Sequence, residues 1–224
     1  MQKINAKRWL SGILAAILLL AVFPLGTFAE EGDLTITTKE ELLQFAQSVS
    51  GGESYTGKTV VLAANLSLAG EDFAGIGSSA APFKGTFDGQ NHIVSDLSSS
   101  VGFFADVNGG TVKNLIVRGM VNGASNIAGV VGKLTAGAVQ NCGNEASVSG
   151  GANVGGVVGS VNGDCTLSGC YNRGAVSGTT GYIGGVTGQH WRAGTVENCY
   201  NIGTVSGPAT VGGITGGHKA SSPV

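Results

Sequence analysis

The residue types that most often carry chemistry are few and widely spaced. Four cysteines and three histidines stand in a chain of 224 residues that holds 40 glycines. Cys142, Cys170 and Cys199 follow one another at almost equal intervals, with Cys165 set apart in a loop before Cys170. In an oxidising compartment such a series reads as a disulfide or a metal site, and otherwise as small buried hydrophobes. The second reading is favoured, because the sequence has no C-x-x-C and no histidine near the series, so no metal is expected. His92, His190 and His218 belong to no H-E-x-x-H motif, the arrangement zinc peptidases use. His190 and His218 each follow a repeated glycine by two residues and are expected at equivalent loop positions, in structural or solvated roles. His92 is expected at the surface beside a turn.

Enzymes that cleave glycans need two or three carboxylates converging on one groove. After residue 100 only Asp106, Glu145, Asp164 and Glu197 are available, at non-equivalent positions, and Asp88 and Asp96 upstream have no third member. No catalytic set and no cofactor are therefore expected. Aromatic residues give the better candidates. Tyr171 and Tyr200 fall at matching points of consecutive repeats, and Trp191-Arg192 form an adjacent pair. Rings beside a guanidinium can hold a sugar or a protein ligand. These four are the candidate ligand contacts, against the plainer alternative of a packing ladder.

What must position them is a repeat. The runs VGFFAD (101–106), IAGVVG (127–132), VGGVVG (154–159), IGGVTG (183–188) and VGGITG (211–216) recur at a nearly constant spacing. A second block recurs between them: NLIVRGMVNG (114–123), NCGNEASVSG (141–150), GCYNRGAVSG (169–178) and NCYNIGTVSG (198–207). A period of this length, with short β-prone runs and glycine corners, indicates stacked coils of a β-solenoid. Stacking would place Leu115, Cys142, Cys170 and Cys199 in one inward column and Val121, Val148, Val176 and Val205 in another. Asn144, Asn172 and Asn201 would form an amide ladder, as would Asn114, Asn141 and Asn198 with a gap at Gly169. Gly123, Gly150, Gly178 and Gly207 are expected at a corner of positive φ. Arg118, Glu145 and Arg173 would alternate in sign on an outer face.

Composition agrees. Glycine is about 18% of the chain, well over twice its usual share of roughly 7%. It does not recur every third residue, and with 4 prolines the chain is no collagen. A formal net charge of −2 with no basic cluster beyond the first eight residues argues against a nucleic-acid partner. Residues 1–29 read as a secretory signal peptide: Lys3, Lys7 and Arg8, then an apolar run containing ILAAILLLAVF, then Thr27-Phe28-Ala29 as the cleavage site. The run is short of the roughly 20 residues needed to span a bilayer. No later stretch could span one, so no membrane contact is expected after cleavage. Residues 37–50 (TTKEELLQFAQSVS) read as a capped amphipathic helix. Thr59–Leu62 and Leu66–Leu68 read as strands, and Asp88-Gly89 as a turn.

The runs AGVVG (128–132), GGVVG (155–159), GGVTG (184–188) and GGITG (212–216), with the NCYN-x-G-x-V-S-G blocks and the FKGTFDGQNHI segment, resemble the GLUG repeat of bacterial secreted and surface proteins. The resemblance covers roughly residues 34–224 and departs in the first copy, where GFFAD lacks the closing glycine. It implies an all-β chain, a right-handed parallel β-helix with an N-terminal helical cap. Such repeats often sit beside other modules, including the peptidase domain of immunoglobulin-A-cleaving enzymes, and the pattern defines no catalytic residues. The expected organisation is a signal peptide (1–29), a cap with first coils (30–100) and the repeats (101–224). The expected role is a non-enzymatic secreted or cell-surface module for adhesion, interaction or spacing, with a glycan or protein ligand. The alternatives are a β-helix carbohydrate-active enzyme and the N-terminal fragment of a larger surface peptidase. The fifth copy lacks its second block, which predicts self-association through an open coil end.

Overall fold

In a parallel β-solenoid the chain alternates between sheets, so every strand pairs with its counterpart one coil away. The computed structural model describes residues 33–192, 194–208 and 210–218, and it has this arrangement throughout. Residues 1–29, where a signal peptide is expected, lie outside the described residues. About seven turns are present. The first sheet runs through Leu34–Ile36, Thr59–Leu62, Thr86–Asp88, Phe104–Lys113 and Val131–Gln140. It then continues through two shorter strands per coil, such as Val158–Val161 and Cys165–Ser168. The second sheet runs through Leu66–Ser67, Ile93–Ser99, Ile116–Ile127 and Ser147–Gly155, then in shorter pieces to Thr210–Gly212.

Register converts the sequence repeat into columns. Val60, Phe87, Val112, Val139, Leu167 and Val196 pair in succession and are all buried. Val121, Val148, Val176 and Val205 pair likewise on the second sheet, the first three buried and Val205 partly so. The first copy is offset by one residue from its alignment in sequence. There Phe104 falls opposite Val130, but in the structure it pairs with Val131, so Ala105 takes the place of the closing Gly132. Extra residues fall in connections, as expected: the pairing slips by one residue between Leu134↔Val161 and Gly137↔Cys165.

Two asparagine ladders work by different physics. Asn144 Nδ2 donates to Asn172 Oδ1 at 2.7 Å, and Asn172 Nδ2 donates to Asn201 Oδ1 at 2.7 Å. Each amide also donates to the carbonyl two residues on, so these side chains are satisfied. Gly129, Gly156 and Gly185 lie against these amides, and any Cβ there would overlap them. The second ladder has one amide hydrogen bond, Asn141 Nδ2 donating to Asn114 Oδ1 at 3.4 Å, but its positions are set by backbone. Asn114, Asn141 and Asn198 have φ of 53°, 52° and 53°, and Gly169, the apparent gap, has φ of 64°. The position demands a left-handed residue, which asparagine and glycine both tolerate.

The corner glycines Gly123, Gly150, Gly178 and Gly207 are a correction, since none has a positive φ. They are small because a Cβ would strike its surroundings: the Ser100 carbonyl at Gly123, the Ile127 side chain at Gly150, and Ile183 at Gly178 and Gly207.

The helix Lys39–Ser50 is closed by a capping box of Thr38 and Glu41 and ends at Gly51. It buries Leu42, Phe45, Ala46 and Val49 on the first coils. There Phe45 meets Phe83 and Phe87 with ring centroids 5.8 and 6.0 Å apart. Phe87 also contacts Phe103 and Phe104, and Phe73 stacks on Phe103.

Candidate functional site

Strand alternation sends Val117, Asn144 and Asn172 inward and leaves their neighbours on the outer surface of the second sheet. One outer column contains Gly143, Tyr171 and Tyr200, and the adjacent one contains Arg118, Glu145 and Arg173. The Tyr171 and Tyr200 rings stack with centroids 5.5 Å apart and planes 12° apart. The Tyr171 ring lies over Gly143, where a side chain would collide with it. Its hydroxyl donates to Glu145 Oε1 at 3.2 Å, and the Arg173 guanidinium sits 5.0 Å from its centroid. Glu145 is shared, with Arg118 Nε at 2.7 Å and Arg173 Nη1 at 3.4 Å.

Burial of Glu145 opposes its charge, yet the hydrogen bond and charge of Arg118, with Tyr171 and Arg173, hold its carboxyl below the usual range. For Tyr171, burial first and Glu145 second push the phenol up, so it stays a donor. The band ends in exposed apolar surface, with Tyr200 at 45% and Ile202 at 70% exposure. Because the rings stack from coil to coil, ring edges and the outer face of Tyr200 are what a ligand would meet.

Trp191 and Arg192 lie elsewhere. Trp191 packs edge-on against Tyr182 at 5.2 Å, and the Tyr182 ring covers Gly217. Arg192 is exposed beside it. The four sequence candidates thus divide into one stacked pair and one separate pair. Arg173 and Glu145 are legible as a charge column in sequence, but their contact with Tyr171 is not. A concavity of about 390 Å³ is lined by Asn122, Ser149, Ser177, Thr179 and the glycines between them. Its signal is the V-N-G and V-S-G triplets, in which the valine points inward and the polar residue outward.

Two histidines and one cysteine also need correction. His190 and His218 are not in loops but end the strands Thr187–His190 and Thr215–His218. They continue in register the column of Val107, Leu134 and Val161, with His190 buried and His218 exposed. His190 is fully buried, and among the described residues neither of its ring nitrogens has a hydrogen-bond partner. Burial, and then the neighbouring His218, push its pKa below 6.5. Cys165 opens the strand Cys165–Ser168 and is buried. His92, after the turn, has Nδ1 3.3 Å from Asn65 Oδ1. Among the described residues, no three His, Cys, Asp or Glu side chains are arranged to hold a metal ion, and no helix is long and apolar enough to cross a membrane.

These features define a parallel β-solenoid built on a glycine- and asparagine-marked repeat. Residues 179–206 match the family model of the GLUG motif. The fold is similar to that of a solved protein from Bacteroides ovatus described as a "putative immunoglobulin A1 protease". The match has a TM-score of 0.56 at 17% identity and covers 81% of this chain and 83% of that one. At that identity the likeness is one of fold. No curated protein matches the chain.

Proposed function

We propose that the chain is a non-enzymatic interaction module, exported by its N-terminal segment, that holds a glycan or protein ligand on the outer surface of a rigid rod. The observation that carries this reading is the outer band of the second sheet. Tyr171, Tyr200, Arg173, Glu145 and Arg118 are cross-linked from coil to coil by ring stacking and a shared carboxylate. A surface fixed before binding loses little side-chain entropy when it engages a partner. The solenoid supplies the rest of the mechanism, holding the band at a set distance from whatever the chain is attached to.

The test is binding of the purified chain to panels of immobilised oligosaccharides and of extracellular proteins. The double substitution Tyr200→Ser, Arg173→Ser is expected to lower affinity for the bound ligand at least tenfold, a difference of about 1.4 kcal/mol. Cleavage of a glycan or of immunoglobulin A1 by the chain would overturn the non-enzymatic reading. A second reading, the solenoid as a non-catalytic part of a larger peptidase, is supported by the name of the Bacteroides ovatus protein. It predicts binding to immunoglobulin A1 without cleavage.

A further inference from the structure

Three of the four thiols share one orientation and one column. Cys142, Cys170 and Cys199 each direct Sγ to the carbonyl two residues earlier, at 3.3, 3.4 and 3.2 Å. Their backbones are directly adjacent, since Tyr171 N donates to the Cys142 carbonyl at 2.9 Å and Tyr200 N to the Cys170 carbonyl at 3.1 Å. Neighbouring strands lie about 4.8 Å apart, inside the roughly 4.4–6.8 Å Cα separation that a disulfide bridges.

The two possible pairs are not equivalent. Cys142 and Cys170 are fully buried, whereas Cys199 is only partly covered. Burial pushes the Cys142 thiol up to about 12. The interaction between the neighbouring Cys170 and Cys199 thiols lowers the pKa of Cys199 and raises that of Cys170, which burial raises further. A thiolate is the attacking species in disulfide exchange. The column therefore holds one sulfur that an external reagent can reach, with a protonated thiol beside it.

We propose that Cys170 and Cys199 are a redox pair, closed into an inter-coil disulfide by exchange with an external disulfide that enters at Cys199. The Cys199 thiolate attacks one sulfur of the external disulfide, forming a mixed disulfide and releasing one thiolate. Cys170 then loses its proton to solvent and attacks Cys199 Sγ, releasing the second thiolate. Two protein thiols are oxidised to one S–S bond, and the external disulfide is reduced to two thiols. Cys142 and Cys165 take no part and remain small buried hydrophobes.

Oxidised glutathione is the probe. The reduced full chain is incubated with it, alkylated under native conditions and digested for mass spectrometry. The expected product is a chain lighter by two hydrogens, with a Cys170–Cys199 cross-linked peptide and with Cys142 and Cys165 alkylated only after denaturation. In Cys170→Ser, Cys199 should instead retain one glutathione, and in Cys199→Ser none of the remaining thiols should react. A stable glutathione adduct on Cys199 of the wild type, a Cys142–Cys170 cross-link, or four unreactive thiols would each overturn the proposal. The wild-type result stands alone if either variant fails to fold.

Discussion

The two ends of the solenoid fill the same coil with different chemistry. The first coils pack six phenylalanines, Phe45, Phe73, Phe83, Phe87, Phe103 and Phe104, into one connected cluster under the helix. After Phe104 the chain contains no phenylalanine at all. The later coils fill much of their interior with columns of valine, cysteine and asparagine in which like stacks on like. An aromatic core fits irregular neighbours, so each coil there can differ. A ladder fits only a copy of itself, because side-chain hydrogen bonds and glycine contacts must recur at one height per coil. Repetition in the sequence is thus a requirement of the second solution and not of the first.

The sharpest way to break the comparison is to remove a ring. Phe87→Ala, which strips contacts from Phe45, Phe103 and Phe104, is expected to cost about 3–5 kcal/mol in denaturant unfolding. Loss should concentrate in the first coils, where hydrogen exchange can locate it. The ladder equivalent is Asn172→Ala. It leaves the Asn144 amide and the Gly174 carbonyl with broken bonds inside the core, an expected cost of about 2–3 kcal/mol. Protection should be lost on both flanking coils, since each shares a bond with Asn172; loss confined to one coil would contradict the ladder.

His190 offers a change in the opposite direction. It follows Val107, Leu134 and Val161 in one column, with His218 paired beyond it, and its ring nitrogens are unpartnered among the described residues. His190→Val is expected to gain about 1 kcal/mol by removing that unmet polarity. The folded pKa lies below 6.5 while the unfolded chain titrates normally. The unfolded state therefore binds more protons as pH falls, and stability, full above about pH 6.5, declines below it. The variant should lose that acid decline, as read from unfolding midpoints on either side of that pH. The smallest effect is expected at Tyr200, 45% exposed. Tyr200→Ser should shift stability by about 0.5 kcal/mol or less, so any large loss of ligand binding would be a surface effect.

Legibility in the sequence follows the same division. The inward columns, the Asn144 ladder, the Arg118–Glu145–Arg173 alternation and the capped helix are all readable, because each is a periodicity or a cap with one physical solution. The aromatic cluster is not, since Phe73 and Phe83 lie upstream of the repeat and Phe103 falls in its first, divergent copy. For His190 the flanking glycines suggest a loop, whereas they are small to admit a neighbouring backbone. The same cause underlies the corner glycines: composition signals that a side chain is forbidden without revealing whether φ or crowding forbids it. Of the site, the Tyr171–Tyr200 pair is visible as a column. Its union with Arg173 and its separation from Trp191 depend on which strand faces which.

The in-register pairing of Val148 with Val176 also makes molecular length a quantised property. Excising residues 149–176 would join Val148 directly to Ser177, and every later residue would drop onto a platform like the one it left. The expected product is a rod shorter by about 4.8 Å and unchanged in cross-section. For such a chain, reach is adjusted by whole turns gained or lost, while the pattern on its flank is preserved.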